Sequence, residues 1–309
     1  GMKAPFEINN VIPVCPSKMM NESTGKLLAR DLKTDEIHQL IEDFSDAAKR
    51  CEDAGFDGLF LWDHINITGA DGFETIDPTV ALTLIASESS HLKFGPIITP
   101  LARRRPWKLA RELISLDQLS GGRLVFGAGL GEPEDLEFAA FGEEPSGKVR
   151  AKKLDEGLEV LDSLARGVLT NHSGQYYNLT NVHFRPQPVQ TPRFPVWIAA
   201  TLPYKSGVKR SLKWDGLFPV VMPKADPLVW ANWFPTLEDF RAAVGEVQNS
   251  LSEDKGFDFV ASGNLGDKST KGHSLEDYKN AGATWWFHWV DESPDTFRET
   301  IKKVSAGPL

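Results

Sequence analysis

Leu92-Lys93-Phe94-Gly95-Pro96-Ile97-Ile98-Thr99, the run Pro106–Leu119, and Arg123-Leu124-Val125-Phe126-Gly127-Ala128 decide the fold between them. The outer two pieces are short apolar runs of strand length. The middle piece opens on Pro106, and proline suits a first helical position, where its missing N–H has no intrahelical partner to lose. Gly121-Gly122 closes the helix. Strand, helix and strand joined this closely form a βαβ unit, whose strands pair in parallel and whose helix covers the sheet.

The same unit repeats in both directions. Phe6–Val14 predicts a first strand and Thr34–Ala54 a helix, with Ile37, Leu40, Ile41, Phe44, Ala47, Ala48 and Cys51 on one stripe. Thr34 caps that helix, Asp35 and Glu36 suit its positive end, and Gly55 closes it. Phe56–Trp62 is a second strand, and Asp77-Pro78 starts a helix with a cap residue ahead of a proline. Downstream, Lys152–Leu164 is a helix. Strands follow at Pro195–Ala200, Gly216–Val221, Phe257–Ser262 and Thr284–Val290. Helices alternate with them at Tyr204–Lys213, Thr236–Leu251, Ser274–Ala281 and Pro294–Val304. Ser274 and Asp277 stand at capping-box spacing.

Eight strands, each followed by a helix, predict one α/β domain over residues 1–309, a (β/α)8 TIM barrel. Two long connections, Gly131–Gly147 and Arg166–Pro192, are its loop insertions at the C-terminal face. A doubly wound sheet is the alternative. It needs a phosphate loop after an early strand, and no G-x-G-x-x-G stands there.

Composition narrows the partners. With 34 basic and 43 acidic residues the net charge is −9, which argues against nucleic acid or an anionic membrane as the main partner. No apolar run reaches the roughly 18 residues that span a bilayer, and the start shows no basic-then-apolar signal pattern. Cys15 and Cys51 do not make a disulfide framework, so a cytoplasmic location is expected.

In a closed barrel the reactive groups stand where strands end: Pro16, Asp63-His64, Thr99-Pro100, Gly129–Glu132, Thr201, Met222, Asn264 and Asp291. His64 can give or take a proton near neutral pH, or simply hydrogen-bond a loop. Gly127-Ala128-Gly129-Leu130-Gly131-Glu132 lets a flat ring approach the backbone, or makes a tight turn. Arg103-Arg104-Arg105 can hold an anion, or form a solvated loop ahead of the Pro106 helix. Among nine tryptophans, Trp62, Trp197, Trp285, Trp286 and Trp289 fall in strands, some inside the barrel and some against helices. There is no G-x-S-x-G, Walker loop or metal-ligand spacing. Few nucleophiles around a glycine-lined mouth point to a bound cofactor.

Several of these runs, taken in order, resemble the bacterial-luciferase-like flavin oxidoreductases. They are Ala54-Gly55-Phe56-Asp57-Gly58 through Trp62-Asp63-His64, and Leu92-Lys93-Phe94-Gly95 through Thr99-Pro100, Arg105-Pro106, Leu109-Ala110 and Leu116-Asp117. Ser120-Gly121-Gly122-Arg123-Leu124 to Gly127-Ala128-Gly129-Leu130-Gly131, Leu154-Asp155-Glu156-Gly157-Leu158 and Gly174-Gln175-Tyr176-Tyr177 continue it. Pro186-Gln187-Pro188-Val189-Gln190, Pro195-Val196-Trp197-Ile198-Ala199-Ala200 and Ala281-Gly282-Ala283-Thr284-Trp285-Trp286 complete it.

The resemblance implies a (β/α)8 barrel, usually a homodimer, with FMN or the deazaflavin coenzyme F420 at the strand ends. It places Asp63, His64, Thr99, Gly129 and Glu132 around the cofactor. Ala199, Ala200 and Thr201 lie toward its phosphate, although Leu202-Pro203-Tyr204 departs from the family's glycine-rich segment. His64 and Glu132 become a catalytic, proton-handling pair. Three activities stay open. The first is a monooxygenase using reduced FMN, delivered by a separate flavin reductase, and oxygen on a small organic substrate. The second is an F420-dependent hydride-transfer oxidoreductase, in which Arg103–Arg105 would meet the anionic cofactor tail. The third is a flavin-binding barrel without catalysis.

Overall fold

Side chains alternate along each strand with period two, so each strand presents one face inward and one outward. In the computed structural model this alternation separates two kinds of core. The structure describes residues 14–15, 19–20, 27–31, 45–66, 76–222, 234–252, 255–263, 270 and 272–288. The predicted first strand Phe6–Val14 falls outside these except at Val14, and the closing helix Pro294–Val304 falls outside altogether.

Near the start, β1 (Val14–Cys15) pairs in parallel with β3 (Leu27–Asp31), which also pairs with β2 (Met19–Met20). Helix α1 is described over residues 45–53. The barrel strands then follow: β4 (Gly58–Leu61), β5 (Lys93–Pro96) with its continuation β6 (Thr99–Pro100), and β7 (Phe126–Gly129). After an antiparallel hairpin, β8 (Thr170–Ser173) and β9 (Asn178–Val182), come β10 (Val196–Leu202), β11 (Gly216–Val221), β12 (Asp258–Gly263) and β13 (Trp285–His288). The barrel pairings are parallel and run in chain order. A bridge between Phe94 and Leu124 joins the β4–β5 pair to the rest.

Closure shows in the interior. Phe60 of β4 stacks on Phe287 of β13, with ring centroids 4.7 Å apart, and meets Trp197 of β10 at 5.7 Å. Rings from the two ends of the strand order can touch only if the sheet curls onto itself. Ile97, Val125, Phe218 and Val260 fill the remaining interior. The Trp197 indole N–H donates to Asp258 at 3.1 Å, which removes the penalty of burying it. Trp197 and Trp285 therefore lie inside, whereas Trp286 packs outward against Tyr278.

Outside the barrel, helices α2 (Pro78–Glu88), α3 (Pro106–Ser120) and α5 (Gly147–Ala165) cover one side. Leu154, Leu158 and Leu161 of α5 are fully buried there, each contributing about 1.5–3 kcal/mol. Helices α6 (Lys205–Ser211), α7 (Leu237–Gln248) and α8 (Leu275–Asn280) cover the other. The local signals act as expected. Asp77 accepts the Thr79 N–H, Ser274 and Asp277 form the capping box, and Gly121 ends α3 in the left-handed region at φ 68°.

Both predicted loop insertions carry structure. The connection after β7 holds the short helix α4 (Glu134–Glu137) and a 3-10 turn at Ala139–Phe141. The segment Arg166–Pro192 contains the β8–β9 hairpin, tied to α5 because Glu156 accepts the N–H groups of Tyr176 and Tyr177. No described helix is long and apolar enough to cross a membrane.

Candidate functional site

Strand β4 delivers Trp62, Asp63 and His64 to the C-terminal rim. Asp63 is 2% exposed, and its Oδ1 accepts from Arg103 at 2.9 Å and Arg104 at 2.7 Å. Arg103 also donates to the Asp63 carbonyl. One residue on, His64 Nδ1 lies 3.0 Å from Oε1 of Glu137, and the imidazole packs edge to face with Trp62. The structure thus gives His64 a carboxylate other than the expected Glu132.

Glu137 ends α4, and its side chain is wholly buried. Its carboxylate accepts from Arg103, from Ile65 N at 3.1 Å and from Asn66 N at 3.2 Å, in addition to the imidazole. Burying a carboxylate costs several kcal/mol unless charge and hydrogen bonds compensate it. Here Arg103, itself 3% exposed, bridges Asp63 and Glu137, and Arg104 completes a balance of two acids and two guanidiniums.

Glu132 sits elsewhere on the same connection. Its Oε1 is 3.4 Å from Arg150 Nη2, while Glu134 takes the same nitrogen at 2.6 Å. Arg150 is buried and also donates to the carbonyls of Pro145, Leu130 and Gly131, with its guanidinium over the Phe138 ring. Burial pushes the Glu132 carboxyl above its ordinary value; Arg150 opposes this, and the like charge of Glu134 adds to it. Gly131, at φ 83°, makes the turn, and a side chain there would strike Pro100 and Phe138.

Thr99 is fully buried beside Ala128 in β7, and its hydroxyl has no partner among the described residues. At Gly129, a Cβ would lie 2.6 Å from Ile98 and 3.1 Å from Ala199, so protein side chains already use the space that glycine leaves. Ala200 faces outward, where Gly207 of α6 packs on it; a Cβ at Gly207 would come within 2.7 Å. Ala199 and Thr201 alternate with it and are partly buried.

The arginine run resolves into separate tasks. Arg103 and Arg104 are engaged by Asp63 and Glu137 rather than solvated or held out for an anion, and Arg105 lies over Trp107. Pro16, Asn264 and Asp291, also expected at strand ends, lie outside the described residues. Sequence reasoning missed Glu137, Arg103 and Arg150 as organisers. The acidic run Glu132–Glu137 contained the first of them, but nothing in its spacing singles out the residue that turns inward.

A family model described as luciferase-like monooxygenase matches residues 23–212. The F420-dependent glucose-6-phosphate dehydrogenase of Amycolatopsis mediterranei is 29% identical over 160 residues, 51% of this chain and 47% of that protein. The chain spans about half the length of the curated relatives it matches. Among solved structures, an F420-dependent secondary alcohol dehydrogenase aligns with a TM-score of 0.65 at 17% identity, covering 87% of this chain and 96% of that one. The oxygenating constituent of a Pseudomonas putida diketocamphane monooxygenase, in complex with FMN, aligns at 0.58 and 16% identity, covering 74% and 62%.

Proposed function

The chain belongs to the family of luciferase-like monooxygenases, and from that premise we propose that it is an oxidoreductase in which His64 moves the proton that accompanies electron transfer at a flavin-type cofactor. The observation that carries this reading is the 3.0 Å contact between His64 Nδ1 and the buried Glu137. With Nδ1 directed at a carboxylate, His64 takes or gives a proton at Nε2.

The cofactor in the first reading is F420, because the relative from Amycolatopsis mediterranei is an F420-dependent dehydrogenase. When bound, it would accept or donate a hydride. The residues suit such a group: Thr99 offers a buried hydroxyl without a described partner at the strand end beside Gly129. Thr99, Thr201 and the backbone of Gly129, Ala199 and Ala200 would hold the cofactor, with Asp63 fixing the loop that carries His64. Glu132, whose carboxyl holds its proton more firmly than an ordinary glutamate, supplies a second proton donor at the rim. The substrate is a small organic molecule that loses or gains a hydride and a proton together.

The second reading, a monooxygenase using reduced FMN and oxygen, is supported by the neighbour solved with FMN and by the aromatic packing inside the barrel, whose rings would help to exclude water. A separate flavin reductase goes with that reading, and a homodimer with either.

Titration with F420 and with FMN, followed by fluorescence quenching, separates them. Binding of F420 alone is expected; binding of FMN alone overturns the first reading, and binding of neither overturns both. His64→Ala should lower turnover by about 10²–10⁴-fold at unchanged cofactor affinity. Unchanged turnover removes His64 from the reaction.

A further inference from the structure

We propose that Glu137 is the positioning residue for His64: it fixes the imidazole in the Nδ1–H tautomer, with Arg103 holding the carboxylate in place. The inference rests on the proposed proton transfer for its functional part, but its structural part stands without it.

A neutral imidazole has one N–H and one lone pair, and the partner of one nitrogen decides the state of the other. Glu137 Oε1 accepts from Ile65 and Asn66 backbone N–H groups and faces His64 Nδ1 at 3.0 Å. Its other oxygen accepts from Arg103. A carboxylate ringed by donors has no proton to offer, so Nδ1 must be the donor and Nε2 the acceptor. The same carboxylate pins the backbone that follows His64, so the ring is fixed in direction as well as in tautomer.

Arg103 makes this arrangement rigid. Its guanidinium joins Glu137, on the connection after β7, to Asp63, on the connection after β4. The two connections are therefore tied to each other beside the histidine. Asp63, in contact with both arginines, keeps Arg103 from turning wholly toward Glu137. Glu137 itself touches no reacting atom; it acts through His64.

Nitrogen-15 NMR of histidine-labelled protein tests this directly, with the His64 signal assigned as the one missing from His64→Gln. The wild-type chain should show the Nδ1–H tautomer. Glu137→Gln should convert part of the population to Nε2–H, because an amide NH2 donates and can pair with Nδ1 only when that nitrogen is the acceptor. Turnover should fall by about 100-fold, as expected when an orienting carboxylate is lost, while cofactor affinity stays within about twofold. An Nε2–H tautomer in the wild-type protein overturns the proposal, and that measurement does not require the variant to fold. So does a Glu137→Gln variant with unaltered tautomer and turnover. If His64→Ala keeps full turnover while the Nδ1–H tautomer is observed, the proton-transfer reading fails and the positioning geometry survives.

Discussion

Glu132 and Glu137 stand five residues apart on one connection, and the fold treats them in opposite ways. At the near end, Glu132 is half-buried, shares Arg150 with Glu134, and receives the longer contact at 3.4 Å. Burial wins there, and the carboxyl is pushed up. At the far end, Glu137 is fully buried, yet an arginine, an imidazole and two backbone N–H groups surround it. A buried acid is governed by the donors it meets, not by burial alone. The near end offers one shared cation; the far end was built around its acid.

The largest break in this contrast is Arg103→Met. It leaves Asp63 and Glu137 buried without their shared cation, and a loss of about 3–5 kcal/mol is expected from denaturant unfolding. A loss under about 1 kcal/mol means that Arg103 does not hold the far end together. Gly131→Ala comes next. The added methyl meets Pro100 at 2.6 Å in a left-handed turn, and about 1–3 kcal/mol should be lost. Because that turn sets the entry to the whole connection, the tautomer of His64 reports whether the two ends are coupled.

A smaller effect sharpens the near end. The folded chain holds the Glu132 proton more tightly than the unfolded chain does. Stability should therefore fall as pH rises from the ordinary glutamate value through the raised one. Glu132→Gln should flatten that slope in melts run across the carboxylate range; an unchanged slope assigns it to another group. The smallest effect is Glu134→Gln, which removes the like charge beside Glu132. The Glu132 carboxyl should titrate lower, as followed by NMR; an unmoved Glu132 means that the Glu134 charge does not act on it.

Much of the barrel was legible because its signals are local. Asp77 before Pro78, Pro106, Gly121 and the Ser274–Asp277 box mark helix ends by chemistry within a few residues, and each sits where expected. Alternation along the strands told that some tryptophans face inward and others pack against helices; only the structure shows that Trp197 and Trp285 are inside and Trp286 outside. The β8–β9 hairpin was not legible. Thr170-Asn171-His172-Ser173 is polar and lacks an apolar face; Glu156, on a helix well upstream, ties the hairpin's turn to the fold.

The site divides along the same line. Asp63-His64, Thr99 and Glu132 could be named because a parallel barrel puts strand ends on one rim, a rule of topology that local periodicity reaches. The partners of those residues could not. His64 meets a carboxylate 73 positions away, and Arg103 reaches Asp63 across 40 and Glu137 across 34. Sequence by itself determined the repeated βα unit, and with it where chemistry can stand. Tertiary structure alone decided that Glu137 rather than Glu132 meets His64, and that Arg103 serves carboxylates inside the protein. The physical reason is that periodicity and capping act over a few residues, whereas the pairing of buried charges is settled only when distant loops close on one another and exclude water.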